Sequence, residues 1–178
     1  IPDYYFGAYI EASRDWDNLM YNAPYYLHVT SAGNDENSDT ANANPLDGNS
    51  AFNKINGRKT AKNSVTIANG RDASINVDGS LASVDRNTSS SEGTTDDLRV
   101  KPDLMGNGTG LYSSYESADD AYNSISGTSM AAPNVTGSLL LLQQYHNETY
   151  GAFMRAATLK GLALHTADDV DIEGPDSH

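Results

Sequence analysis

"SGTSMAAPNVTG", residues 126–137, sets a serine between a flexible lead-in and the start of a helix that must enter a packed interior. Gly127 lets the backbone approach a neighbour closely, and Ala131 and Ala132 are small enough for a buried helix end. Pro133 reads as lying within about the first turn, where a missing N–H costs least. A helix N-terminus offers N–H groups without internal partners at the positive end of the macrodipole, which suits a developing oxyanion. Ser129 is therefore a candidate nucleophile, and a serine hydroxyl is a poor one until a base takes its proton. Ser129 or Thr128 also reads as a plain helix cap, and the two roles can coexist.

Working outward, the apolar pattern after Ser129 (Val135, Leu139, Leu140, Leu142, Tyr145) gives one helix, and "GAFMRAATLKGLALHTA", 151–167, gives another. Upstream, "AYIEASRDWDNLMY", 8–21, places Ile10, Trp16, Leu19 and Met20 at helical spacing, with Asn22 and Pro24 ending the run. "YYLHVTSAGN", 25–34, and "NSVTIAN", 63–69, are short and rich in β-formers, so both read as strands. "ASINVDGSLAS", 73–83, alternates around Asp78-Gly79 as a hairpin, while 35–50 and 87–97 read as loops. In "VKPDLMGNGTG", Pro102 keeps a short extended segment out of a helix. Strands alternating with helices argue an α/β layered fold with a largely parallel sheet, whose ligands sit at the carboxyl ends of the strands, where "SAGN" falls.

Composition narrows the partners. The 178 residues are enough for one domain, and 24 acidic against 11 basic side chains leave a formal charge of −13. That excess repels nucleic acid and anionic lipid, so neither is expected as a partner. With no cysteine there is no disulfide frame and no thiolate site, which a cytosol or a bacterial exterior would each allow. The run near "GSLLLL" is too short to span a bilayer, and "IPDYYFG" has neither start methionine nor leader character, so the chain reads as an internal piece.

"GTSMAAPNVTG" resembles the nucleophile motif of the subtilisin-like serine proteases (subtilases), usually GTSMAxPHVxG. It departs at Asn134 and Thr136, neither of them a triad position in the family. "TSAGNDE", 30–36, is similar to the family's AAGN segment. "SSSEGTTDDLRVKPDLMGNGTGLYSS", 89–114, resembles SSxGPTxDGRxKPDxxAPGxxIxSS, with "MGNGTG" where APG is usual. "HTADDVDIEGPDSH" is similar to the segment before the domain's last strands and helix. The resemblance covers about 25–178 and implies a three-layer, mostly parallel, doubly wound sheet, present here as its C-terminal part over residues 1–178.

It also implies roles. Ser129 would be the nucleophile and Asn34 the side-chain oxyanion donor beside the Ser129 N–H, with Ser31, Ala32 and Gly33 along the primary specificity pocket and Thr128 also binding substrate. A neutral amide donates without the desolvation penalty of a charge. The family's aspartate and histidine motifs, D-[ST]-G and HGTHVAG, are both missing. His28, His146, His165 and His178 lack the expected surroundings and read as packed or solvated imidazoles. The expectation is that the base lies upstream of Ile1, that the chain by itself is essentially inactive, and that the strand at 25–32 exposes an open edge. That edge would be met by a complementary N-terminal piece or by self-association.

As part of a full domain, the expected activity is endopeptidase hydrolysis of a polypeptide through an acyl-enzyme, in a secreted, extracellular and bacterial setting. The alternatives are a catalytically dead subtilase-like binding or scaffold module, and an unrelated α/β domain that only caps a helix with Ser129. No cofactor is expected. Structural calcium stays open, although the acidic stretches 35–49 and 168–176 and the faintly EF-hand-like "SINVDGS" read as solvated loops and a hairpin turn. The sequons at Asn87, Asn107, Asn134 and Asn147 read as chance, Asn134 being expected inaccessible. Met130, next to the nucleophile, is an expected oxidation site.

Overall fold

The computed structural model describes residues 1–45 and 53–170, so parts of both acidic stretches (46–49 and 171–176) and His178 lie outside the described residues. Three strands form a parallel sheet in the order β1 (Val29–Ser31), β2 (Val65–Gly70) and β3 (Leu104–Asn107). The register sets Val29 against Val65 and Ile67 against Leu104. All six residues of β2 are buried, as a central parallel strand covered on both faces requires.

Helix α1 (Thr128–Tyr150) lies across one face and packs on all three strands, its Ala131 and Ala132 meeting Val65 and Ile67. Farther along, Leu139 joins Met154 and Leu159 of helix α2 (Ala156–His165) in a second apolar cluster. The expected helix over 151–167 starts late. Gly151 ends α1 in the left-handed region at φ +72°, and the Gln143 side chain then holds the connection through both backbone groups of Met154 at 2.9 Å.

The other face of β2 is covered less directly than a three-layer sheet suggests. A 3-10 turn, Gly57–Thr60, lies there, and the N-terminal helix (Glu11–Asn22) rests on that turn. This helix is the expected one, yet of the apolar set read from its sequence it buries Met20 alone, beside the polar Ser13 and Asp17, while Ile10 and Trp16 are half-buried and Leu19 is 48% exposed. Its neighbours explain the choice. Ser13 Oγ donates to the Gly57 carbonyl at 2.9 Å, and Asp17 accepts the Lys62 and Asn63 N–H groups at 2.9 and 2.7 Å. Backbone groups that would otherwise be buried without partners claim the polar side chains.

The strand expected over 25–34 shortens to β1, because Pro24 and Tyr25 form a turn closed by Tyr26 N–H on the Ala23 carbonyl, and the Pro24 carbonyl is spent on Ala156 N–H, both at 2.8 Å. The expected hairpin is present: Ser74–Ile75 pairs with Leu81–Ser83, and Asp78 Oδ1 accepts both the N–H and the hydroxyl of Ser80 across the turn. A second hairpin, Leu111–Ser114 with Tyr122–Ile125, had no separate sequence signal and delivers the chain to Gly127. The 87–97 loop is irregular as expected but not solvated, for Ser90, Ser91, Glu92 and Thr95 are buried.

Two further readings are corrected. Helix α1 begins at Thr128, so Pro133 falls in the second turn and leaves the Ser129 carbonyl without its i+4 donor. Asn134 is exposed, because Pro133 and Asn134 follow Ala131 and Ala132 round to the solvent side.

The junction between the end of β3 and the start of α1 is tight. Gly127 N–H donates to the Gly108 carbonyl at 2.9 Å. A methyl group at Gly108 would sit 2.6 Å from Asn69 Oδ1, 2.7 Å from the Gly127 carbonyl oxygen and 2.8 Å from Ala131 Cβ. Gly108→Ala is accordingly expected to cost about 1–3 kcal/mol by overpacking, read as a lower denaturant midpoint. An unchanged midpoint would mean that the helix start is not held there.

Candidate active site

The start of α1 is capped from a distance. Gly127 is the cap residue at φ +155°, and neither Thr128 nor Ser129 supplies a side-chain cap. Instead, Asn34 Oδ1 accepts the Thr128 N–H at 3.0 Å and the Thr128 hydroxyl at 3.1 Å, across 94 positions of sequence. The same hydroxyl oxygen accepts the Gly33 N–H at 3.2 Å. The simple reading of Ser129 as a helix cap therefore does not describe this helix.

That arrangement orients the amide. A backbone N–H can only donate, so the oxygen of Asn34 must face Thr128 and the nitrogen must face away. Asn34 Nδ2 has no partner among the described residues and lies 3.4 Å from where a Cβ on Gly127 would be. Ser129 is exposed, its Oγ makes no hydrogen bond among the described residues, and its N–H has no backbone acceptor. A free hydroxyl, a free backbone N–H and a free amide N–H thus come together at the positive end of a 23-residue helix. Such a cluster can attack a carbonyl and hold the resulting oxyanion, but it contains no proton acceptor.

The described histidines are occupied elsewhere. His28 stacks on Trp16 with ring centroids 4.1 Å apart, and burial, helped by Arg58, holds its pKa below the usual imidazole value. His146 Nδ1 meets the Ala152 carbonyl at 2.7 Å near the far end of α1, and His165 lies in the last turn of α2. None of the three bonds to Ser129.

The sequence-derived pocket residues divide by burial. Ser31 ends β1 partly exposed, whereas Ala32 is fully enclosed and donates its N–H to the Ile67 carbonyl at 2.9 Å. Thr128 is also 0% exposed, so its hydroxyl is available to Gly33 and Asn34 rather than to a ligand, which revises its reading as a contact residue. Gly33 is buried at φ +122°, with its carbonyl taken by Ser91 N–H at 2.9 Å.

Three residues that sequence reasoning passed over surround Gly33. Ser91 Oγ, Lys59 Nζ and Asp35 Oδ2 lie 2.8, 2.9 and 3.4 Å from where its Cβ would be. Ser91 belongs to a motif noted in the sequence, but Lys59 carried no signal among its basic neighbours Arg58 and Lys62. Near the acidic loop, Glu36 Oε2 accepts Glu92 N–H at 2.8 Å, and burial holds the Glu36 carboxyl above the ordinary range against the opposing pull of that hydrogen bond. Among the described residues no group of three or more His, Asp or Glu side chains is placed to hold a metal ion. The carbonyls of Ser38 and Ala41 in that loop are met by the buried Lys54 ammonium, at 3.2 and 2.5 Å.

The subtilase family profile matches residues 7–178. An alkaline proteinase of Hapsidospora chrysogena is 33% identical over 159 residues, which is 88% of this chain and 31% of that protein. A subtilisin-like protease of Coccidioides posadasii is 43% identical over 68 residues, 38% of this chain and 16% of that protein. Among solved structures, the self-cleaved protease domain of PatA has a TM-score of 0.64 at 16% identity, covering 91% of this chain and 49% of that one. A cold adapted subtilisin-like serine proteinase has a TM-score of 0.53 at 22% identity, covering 82% and 40%. These two share the fold. The chain spans 31% or less of these curated relatives and 49% or less of these structures.

Proposed function

Because the chain belongs to the subtilase family of serine proteases, we propose that it is the nucleophile-bearing part of a serine endopeptidase domain. Ser129 Oγ attacks the scissile carbonyl of a polypeptide and passes its proton to a base supplied from outside this chain. The oxyanion is held by the Ser129 N–H and Asn34 Nδ2. Collapse of this intermediate expels the amine, which takes the proton, and leaves an acyl-enzyme on Ser129 for water to hydrolyse. Thr128 acts as a positioning residue through Asn34, and Ser31 and Gly33 run beside the substrate.

The observation that carries this reading is the orientation of Asn34. Its acceptor is spent on Thr128, so its donor is left for a ligand. A module kept only for packing has no need of an exposed serine beside an unspent amide, which favours the enzyme over the scaffold reading. β1 is hydrogen-bonded along β2 on one side only among the described residues, and that open edge suits the rest of the domain or a second copy of this chain. The proposal places the enzyme outside the cell, in keeping with its acidic, cysteine-free composition.

A fluorophosphonate probe tests it. The intact protein that carries this chain is expected to be labelled at Ser129, located by peptide mass, while the 178-residue chain alone stays essentially unlabelled. Equal labelling of both would overturn the external base. Labelling of neither would return the chain to the scaffold reading.

A further inference from the structure

We infer that Lys59 makes the pocket beside Gly33 a receptor for an acidic side chain, borne by the substrate residue whose carbonyl is attacked. The inference rests on the reading of Ser129 and Asn34 given above. Once the attacked carbonyl oxygen lies between those two donors, the side chain on the adjoining α-carbon has little choice of neighbours. Gly33 directly precedes Asn34 and, as the family resemblance implies, borders the path of that side chain.

What stands there is polar and asymmetric. Lys59 Nζ and Ser91 Oγ lie 2.9 and 2.8 Å from where a Gly33 Cβ would be, so both crowd onto the glycine, and φ +122° at this position also favours one. Ser91 Oγ accepts the Asp35 N–H at 3.0 Å, and its own hydrogen is committed to no acceptor among the described residues. A carboxylate arriving beside Gly33 would meet the half-buried Lys59 ammonium, a charged donor, with the enclosed Ser91 hydroxyl (1% exposed) behind it.

Lys59 also differs from the other buried or half-buried lysines. Lys54 donates to the Ser38 and Ala41 carbonyls, and Lys101 and Lys160 both pair with Asp103. Lys59 is half-buried, yet its ammonium makes neither hydrogen bond nor ion pair among the described residues. Burial lowers its pKa and Arg58 pulls the same way, while Asp35 opposes them. Removing a cation from water without a partner is costly, so the pocket gains from an anion. Asp35 supplies one negative charge nearby without reaching pairing distance, and Arg58 adds a second positive one. The balance on this wall is positive in a chain whose formal charge is −13, which marks it off from the rest of the surface.

The test is hydrolysis by the intact protein of fluorogenic tetrapeptides that differ only before the scissile bond, carrying Glu, Leu or Lys. The Glu peptide is expected to exceed the Leu peptide about tenfold in kcat/KM, roughly what one charge-assisted contact supplies. Lys59→Met is expected to erase that ratio, Lys59→Arg to keep most of it, and Lys59→Glu to shift preference to the Lys peptide. A wild-type preference for Leu or Lys, or a ratio that Lys59→Met leaves unmoved, overturns the inference while leaving the protease reading intact. If no peptide is cut, the protease reading fails, and anisotropy of labelled peptides ending in Glu or Leu then decides. Tighter binding of the Glu-ended peptide that depends on Lys59 supports the receptor; equal binding overturns it.

Discussion

Ser129→Ala in the intact protein is expected to lower kcat for a cleavable peptide by about 10⁶, a magnitude known from subtilisin, itself a member of this family. The physical reason is direct: without Oγ there is no covalent intermediate, and the remaining donors can only polarise a carbonyl for attack by water. Because Ser129 is exposed and caps nothing, the substitution removes no side-chain hydrogen bond among the described residues. Alanine is also the better helix former, so the thermal midpoint should stay level or rise slightly. Activity lost with the midpoint preserved separates chemistry from folding. Retained hydrolysis in the pure variant would remove Ser129 from the mechanism altogether.

Asn34 separates the two duties of one side chain. Asn34→Asp keeps an oxygen for the Thr128 N–H and hydroxyl but replaces the outward donor with a second oxygen and a negative charge beside the developing oxyanion. The expected loss is at least about 10²–10³ in kcat, again a value set by subtilisin, with little change in stability because a carboxylate is welcome at a helix N-terminus. Asn34→Ala should lose similarly in kcat and also cost about 1–2 kcal/mol, read by denaturant unfolding, since the Thr128 N–H loses its acceptor. If Asn34→Asp kept wild-type kcat, the outward amide would have no part in catalysis.

The two hairpins show how local signals fare. Asp78-Gly79 was legible because the turn is closed within five residues by Asp78 itself. The pairing of Leu111–Ser114 with Tyr122–Ile125 was not, since it exposes most of both strands and no apolar alternation records it. The first helix fails for a different reason. Its periodicity was read correctly as helical, yet the face turned inward was chosen by the N–H groups of Lys62 and Asn63 and the carbonyl of Gly57, which lie more than forty positions away.

By itself the sequence determined the elements whose causes are short-ranged: the buried run of β2, the Asp78-Gly79 turn, and a helix that starts close to Ser129. It also identified the family, through residues 126–137 above all. Only the tertiary structure decided which atom of Asn34 faces outward, that Thr128 is enclosed, and that Lys59 reaches Gly33 without a partner among the described residues. The reason is common to all three. Propensity and periodicity act over a few residues, whereas a polar side chain's orientation depends on which donors and acceptors the parallel register brings beside it from distant parts of the chain.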